Sequence, residues 1–122
     1  MNIYESAEDY LETILMLQEE KGVVRSVDVA AHLSVSKPSV SVAMKKLREN
    51  GFILMDESSH ISLTEAGEAI AKRMYHRHRV LTEMLVRLGV SEKNAREDAC
   101  KIEHDLSEES FAAIEKHIEM YR

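Results

Sequence analysis

A chain of 122 residues with 44% hydrophobic residues, 5% aromatics and no tryptophan has room for one core or two small lobes, built of packed helices rather than a sandwich of sheets. Its formal net charge of −6 excludes a nucleic-acid-binding surface that works at all times, because phosphate contacts need basic groups. A single cysteine permits no intramolecular disulfide, the start Met1-Asn2-Ile3-Tyr4-Glu5 is no basic leader, and no apolar run reaches bilayer length, so a cytoplasmic protein with no membrane association is expected. The charge is unevenly spread. Lys37, Lys45, Lys46 and Arg48 face only Glu49 in residues 36–51, whereas residues 91–122 carry nine acids against five Lys or Arg.

Residues 5–21 read as a helix with Ala7, Tyr10, Leu11, Ile14, Leu15 and Leu17 on one side and Gly22 as its stop. Glu5, Asp9 and Glu12 fall on the opposite side. They read as a solvated acidic face, although Asp9 and Glu12, three residues apart, could also close on one cation. Ser26 is expected to cap a short helix over residues 27–33, and Ser34-Val35-Ser36 to form a tight turn. Ser36 then caps a second helix with Pro38 in its first turn and Gly51 after its end. Val40, Met44 and Leu47 mark the buried face of that helix, which leaves Lys37, Ser39, Ser41, Lys45, Lys46 and Arg48 for other faces. Two short helices joined by a three-residue turn, the second basic and rich in serine, give a helix-turn-helix signal. The lysines would neutralise phosphates and the hydroxyls would bond phosphates or base edges.

Residues 52–55 and 60–63 are short strand-like runs across a polar connection, which makes a wing. The run Leu63-Thr64-Glu65-Ala66-Gly67 closes the wing as winged-helix regulators do. Thr64 starts the longest helix, to about Leu88, with Ile70, Met74, Leu81, Leu85 and Leu88 as its apolar series and His78 in a gap. Such a histidine is either a core residue with a hydrogen-bond partner or a ligand. Ser91 caps the next helix, which is expected to carry Cys100, Glu103 and His104 at i, i+3 and i+4, beside the apolar stripe Ala95, Ala99, Ile102 and Leu106. A thiol, a carboxylate and an imidazole on one face suit a divalent transition ion, and they suit a solvated charged face with one core cysteine as well. Ser107 caps a last helix with the stripe Phe111, Ile114, Ile118 and Tyr121. Apolar faces on two such small helices call for a homodimer interface.

Three segments together carry a resemblance: residues 8–14 (Glu-Asp-Tyr-Leu-Glu-Thr-Ile), Arg77-His78-Arg79, and residues 99–104 (Ala-Cys-Lys-Ile-Glu-His). Over essentially its whole length the chain resembles the diphtheria toxin repressor family of metal-dependent regulators, most closely its short manganese-responsive branch, the manganese transport regulators. The resemblance implies that Asp9, Glu12, His78, Glu103 and His104 bind a pair of divalent ions. It departs at Cys100, where the manganese branch has glutamate and the iron-responsive branch has cysteine. The iron branch in turn usually has methionine at the position of Asp9, and its ancillary ligand positions fall here on Thr82 and Arg96, which should bind metal poorly. It also commonly adds a C-terminal barrel domain, which this sequence, ending at Arg122, does not show.

The expected architecture is mainly α: a winged helix-turn-helix DNA-binding domain with a two-stranded wing over residues 1–73, and a helical metal-binding and dimerisation domain over 74–122. The expected function is a non-enzymatic, metal-activated repressor of metal-uptake genes that binds a double-stranded DNA operator as a homodimer. Its cofactor would be manganese or ferrous iron, two ions per protomer, with cobalt or zinc acceptable in vitro. The metal set is Asp9, Glu12, His78, Cys100, Glu103 and His104. Two rivals stand beside this: a winged-helix regulator sensing redox state through Cys100, and a small metal-dependent hydrolase using an activated water.

Overall fold

The computed structural model describes residues 3–122, with side chains from residue 6 onward. In chain order the elements are α1 (Ile3–Lys21), α2 (Ser26–Leu33), α3 (Lys37–Glu49), β1 (Ile53–Met55), β2 (Ile61–Leu63), α4 (Glu65–Arg87), α5 (Glu92–Ile102) and α6 (Glu108–Met120). The mainly α reading with a two-stranded wing therefore holds. The chain falls into two compact units, the first ending at Arg73 and the second spanning Met74–Arg122.

In the first unit α1 packs on α2, α3 and β2. Its Leu11, Ile14, Leu15 and Leu17 are buried, and so are Glu12 at 5% exposure and Thr13 at 4%. The expected solvation is thus corrected for Glu12; Asp9 is partly exposed, and Glu5 lies outside the described side chains. Ser26 is the first helical residue of α2 rather than its cap. Arg25 caps it, and its N–H donates to the Asp28 carboxylate at 2.9 Å. That backbone hydrogen bond holds the Asp28 carboxyl below the ordinary aspartate range.

Ser34 takes a left-handed backbone (φ 56°), which lets the Val35 N–H reach the Ala30 carbonyl at 3.1 Å and turns the chain into α3. Ser36 caps α3 by accepting the Ser39 N–H at 3.2 Å. Val40, Met44 and Leu47 are its buried residues. The strands pair antiparallel, Ile53 opposite Leu63 and Met55 opposite Ile61, with Phe52 and His60 outside the ladder. Asp56 Oδ1 accepts the N–H groups of Ser58 at 2.8 Å and His60 at 2.9 Å, closing the wing tip as an aspartate-centred turn. At the tip end of β2 the Ile61 N–H donates to the Val24 carbonyl at 2.7 Å, which fastens the wing to the α1–α2 connection.

Thr64 and Gly67 join the wing to α4. The Thr64 hydroxyl donates to the Gly51 carbonyl at 2.6 Å and accepts the Gly67 N–H at 3.1 Å, so one side chain ties the end of α3 to the start of α4. The Thr64 N–H in turn donates to the Phe52 carbonyl at 3.0 Å. A Cβ on Gly67 would stand 2.0 Å from that same Phe52 oxygen, so the glycine of the Leu63–Gly67 run permits a backbone approach no larger residue allows.

The second unit is built from α4 beyond Arg73, α5 and α6 around Val80, Leu81, Ala99, Phe111 and Ile118, with Met84, Ile102, Leu106 and Ile114 packed at its edge. Ser91 and Ser107 cap α5 and α6 through the N–H groups of Asn94 and Ser110, at 3.3 and 3.0 Å. Two expected core residues are corrected. Leu88 lies past the last residue of α4 and is 74% exposed, and Tyr121 lies past the end of α6 and is 67% exposed.

Gly67→Ala should lower stability by about 1–3 kcal/mol, the usual cost of overpacking that forces backbone to shift. Urea denaturation checks it: a midpoint equal to wild type would mean that the approach of α4 to Phe52 is not constrained as described.

Candidate metal centre

The expected helix through His104 is corrected at its end. α5 stops at Ile102, Glu103 is its C-cap (φ −60°, ψ −25°) and His104 lies in the following turn. The Glu103 N–H still bonds the Ala99 carbonyl at 3.0 Å, so helical spacing persists just far enough to bring its side chain to the side of Cys100.

The Glu103 carboxylate is fully buried, at 0% exposure, and its two oxygens serve different partners. Oε2 lies 3.1 Å from His78 Nδ1 and Oε1 lies 3.5 Å from His104 Nε2. Cys100 Sγ lies 3.7 Å from the same His78 Nδ1. Donor atoms of His78, Cys100 and Glu103 fall within 4.8 Å of one another. Sequence spacing places Cys100 with Glu103 and His104; the fold keeps Cys100 with Glu103, adds His78 from α4 to that pair, and sets His104 on the other oxygen of Glu103. A carboxylate in so dry a place needs hydrogen bonds or positive charge around it. Imidazole, carboxylate and thiol are a donor set that fits a divalent transition ion, so the family's metal fits these residues.

Arg77 was quoted in the sequence only as a neighbour of His78, yet it holds the whole turn. Its guanidinium, on a side chain 5% exposed, donates to the carbonyls of Glu103 and Leu106, each at 2.9 Å, and to Glu108 Oε1 at 2.8 Å. It also lies over the Phe111 ring, 5.1 Å from the centroid. Those bonds satisfy two carbonyls after the end of α5 and fix the backbone that carries Glu103 and His104. The sequence signal was present: an arginine three residues after buried Met74 and four before buried Leu81 occupies a core position.

In the first unit Asp9 and Glu12 lie three residues apart on α1, Asp9 partly exposed and Glu12 buried. The candidate DNA residues Lys37, Ser39, Ser41, Lys45, Lys46 and Arg48 are all exposed. Ser39 is partly committed to the cap, its hydroxyl accepting from the Ser36 hydroxyl at 2.8 Å. Arg48 leans on the wing, its Nη1 4.0 Å from the Met55 sulfur. Sequence reasoning passed over Arg25, an exposed cation whose Nη2 lies 3.1 Å from His60 Nε2 and which joins the start of α2 to the wing.

Residues 2–61 match the family described as iron dependent repressor, N-terminal DNA binding domain, and residues 64–122 match iron dependent repressor, metal binding and dimerisation domain. The transcriptional regulator MntR of Salmonella typhimurium is 41% identical over 110 residues, which cover 90% of this chain and 70% of that protein. Among solved structures, a manganese-dependent transcriptional repressor in complex with manganese is 32% identical with a TM-score of 0.83, over 91% of this chain and 51% of that one. IdeR of T. acidophilum is 28% identical with a TM-score of 0.82, over 91% and 53%. This chain thus spans about half the length of those solved chains. No described helix is long and apolar enough to cross a membrane. The relatives are transcriptional regulators, so the expectation of a regulator stands and the hydrolase is set aside. With both of its halves matched, the chain belongs to the iron-dependent repressor family of metal-responsive, DNA-binding transcriptional regulators and is not an enzyme.

Proposed function

We propose that this protein is a cytoplasmic, homodimeric repressor that binds a double-stranded DNA operator of metal-uptake genes when loaded with manganese or ferrous iron. Residues 1–73 serve as the winged helix-turn-helix domain and residues 74–122 as the metal-binding and dimerisation domain. The observation that carries the reading is the buried Glu103 carboxylate, with His78 beside one oxygen and His104 beside the other, a donor set that would hold divalent ions. Asp9, Glu12, His78, Cys100, Glu103 and His104 form the ligand set for two divalent ions per protomer, with cobalt or zinc as substitutes in vitro.

Bound divalent ions supply positive charge to a cluster whose acids would otherwise repel one another. The chain's own residues do the rest. Glu103 and His104 are fixed by Arg77, Asp9 and Glu12 bring α1 under the control of metal, and α1 carries α2 and α3 with it. Lys37, Ser41, Lys45, Lys46 and Arg48 meet phosphates or base edges as α3 enters the major groove, and the wing with Arg25 lies alongside. A dimer sets two such helices against two half-sites. The redox reading keeps one observation in its favour, the exposure of Cys100; in that reading Asp9→Ala is silent.

The direct test is operator binding by the chelated protein, titrated with manganese, ferrous iron, cobalt and zinc. DNA affinity should rise with metal and fall again on chelation, and Asp9→Ala should abolish the rise. Binding indifferent to metal would refute the reading. Lys45→Ala should weaken DNA binding and reduce the slope of log affinity against log salt by about 1, the signature of one lost phosphate contact, with manganese affinity unchanged in a calorimetric titration. Arg77→Met should cost about 2–6 kcal/mol, since one buried and one part-buried carbonyl lose their donor at about 1–3 kcal/mol each. It should also lower manganese affinity although Arg77 is no ligand, and Arg77→Lys should restore part of both. Thermal unfolding and metal titration of the same samples report the two effects.

A further inference from the structure

The grouping of Cys100 with His78 rather than with His104 separates the ligand set into parts of different chemistry. We propose that His78, Cys100 and Glu103 form a thiolate half-site complete within the second unit, which takes one borderline divalent ion, such as cobalt, zinc or ferrous iron, ahead of manganese and without help from Asp9 or Glu12. The proposal rests on the reading of the chain as a metal-responsive repressor and deepens it by naming the metal class and the order of loading.

Preorganisation carries the argument. All three donors lie within 4.8 Å of one another before any ion is added, and their supports are rigid. Cys100 follows Ala99, which is fully buried in the core of the second unit. Glu103 is held at its carbonyl by Arg77, and the His78 carbonyl accepts the Thr82 hydroxyl at 2.7 Å. An ion binding here orders no further segment, so it avoids the entropic cost that any ligand recruited from elsewhere imposes. Exposure is graded across the trio: Glu103 is 0% exposed, the His78 side chain 13%, and Cys100 is open to solvent. The thiol therefore stands at the mouth, where an arriving ion meets it first and displaces its proton to water as the sulfur–metal bond forms. Thiolate and imidazole together favour softer ions over manganese, which prefers oxygen. Glu103 also faces His104, and so remains available to a second ion once the first is seated.

The test is an anaerobic titration of the reduced, chelated full chain with cobalt(II), read by the near-ultraviolet thiolate-to-cobalt charge-transfer band. The band should grow to saturation at one cobalt per protomer in wild type and at the same equivalence in Asp9→Ala. It should be lost in Cys100→Ser, whose exposed position leaves folding intact by circular dichroism. Zinc should erase the cobalt band at lower concentration than manganese does. No charge-transfer band in wild type, a band lost in Asp9→Ala, or erasure by manganese before zinc would each overturn the half-site. Metal-dependent DNA binding is measured on the same wild-type protein, so that its presence without the band sinks only this inference, and its absence sinks the repressor reading itself.

Discussion

A carboxylate at 0% exposure is the most demanding group in the second unit, and much of the local structure answers to it. Taking an ionised carboxyl out of water costs several kcal/mol in real proteins unless charge and hydrogen bonds are put back. Glu103 receives an imidazole on each oxygen. Its backbone is tied twice, through its own N–H to Ala99 and through its carbonyl to Arg77. Arg77 is itself a nearly buried charge, compensated by two carbonyls, the Glu108 carboxylate and the face of Phe111. The second unit is therefore not a plain hydrophobic core with ligands on its surface. Its core of Val80, Leu81, Ala99, Phe111 and Ile118 encloses a polar frame, and the frame sets where a cation is wanted.

The first unit works on a different principle. Its geometry is fixed by local hydrogen bonds at chain reversals: Asp28 on the Arg25 N–H, Ser36 at the start of α3, Asp56 at the wing tip and Thr64 between Gly51 and Gly67. Each is a short-range device written in two or three residues. Ser36 caps α3 next to exposed Lys37, and Arg48 leans on Met55 of the wing, so part of the face that would meet DNA is also braced.

This difference explains what was legible in the sequence. The helix-turn-helix, the wing and the caps at Ser36, Thr64, Ser91 and Ser107 follow from local chemistry, and the structure returns them nearly residue for residue. Ser26 misled because serine next to a helix start reads as a cap, whereas the Asp28 carboxylate reaching back to Arg25 decides the boundary. Leu88 and Tyr121 continue apolar series that the helices do not, since periodicity carries no information about where a core runs out. Glu12 reads as solvated because helical spacing shows one apolar stripe and cannot show burial on the opposite side. In the metal centre the residue types were recognisable and their grouping was not. The pairing of Cys100 with His78 depends on how α4 lies against the end of α5, which no spacing encodes, and the bonds of Arg77 to carbonyls 26 and 29 residues away leave no local pattern.

Affinity for metal and response to metal are separate quantities in such a protein. A ligand shifts a conformational equilibrium only by the difference between its affinities for the two states. Under the proposed ligand set, an ion satisfied by His78, Cys100, Glu103 and water would keep the same ligands whether or not α1 is engaged, and so would contribute nothing to that difference however tightly it is held. Under the same proposed set, an ion that demands more oxygen donors would gain Asp9 and Glu12 only in the engaged state, and that gain would be its leverage on α3. A net charge of −6 sets the resting condition against DNA, so the leverage has work to do. Substituting a thiol for one carboxylate raises hold on softer ions and at the same time removes a donor that manganese would have used. On this reading Cys100 trades breadth of binding against strength of response, and the carboxylates of α1 decide which bound ions are heard.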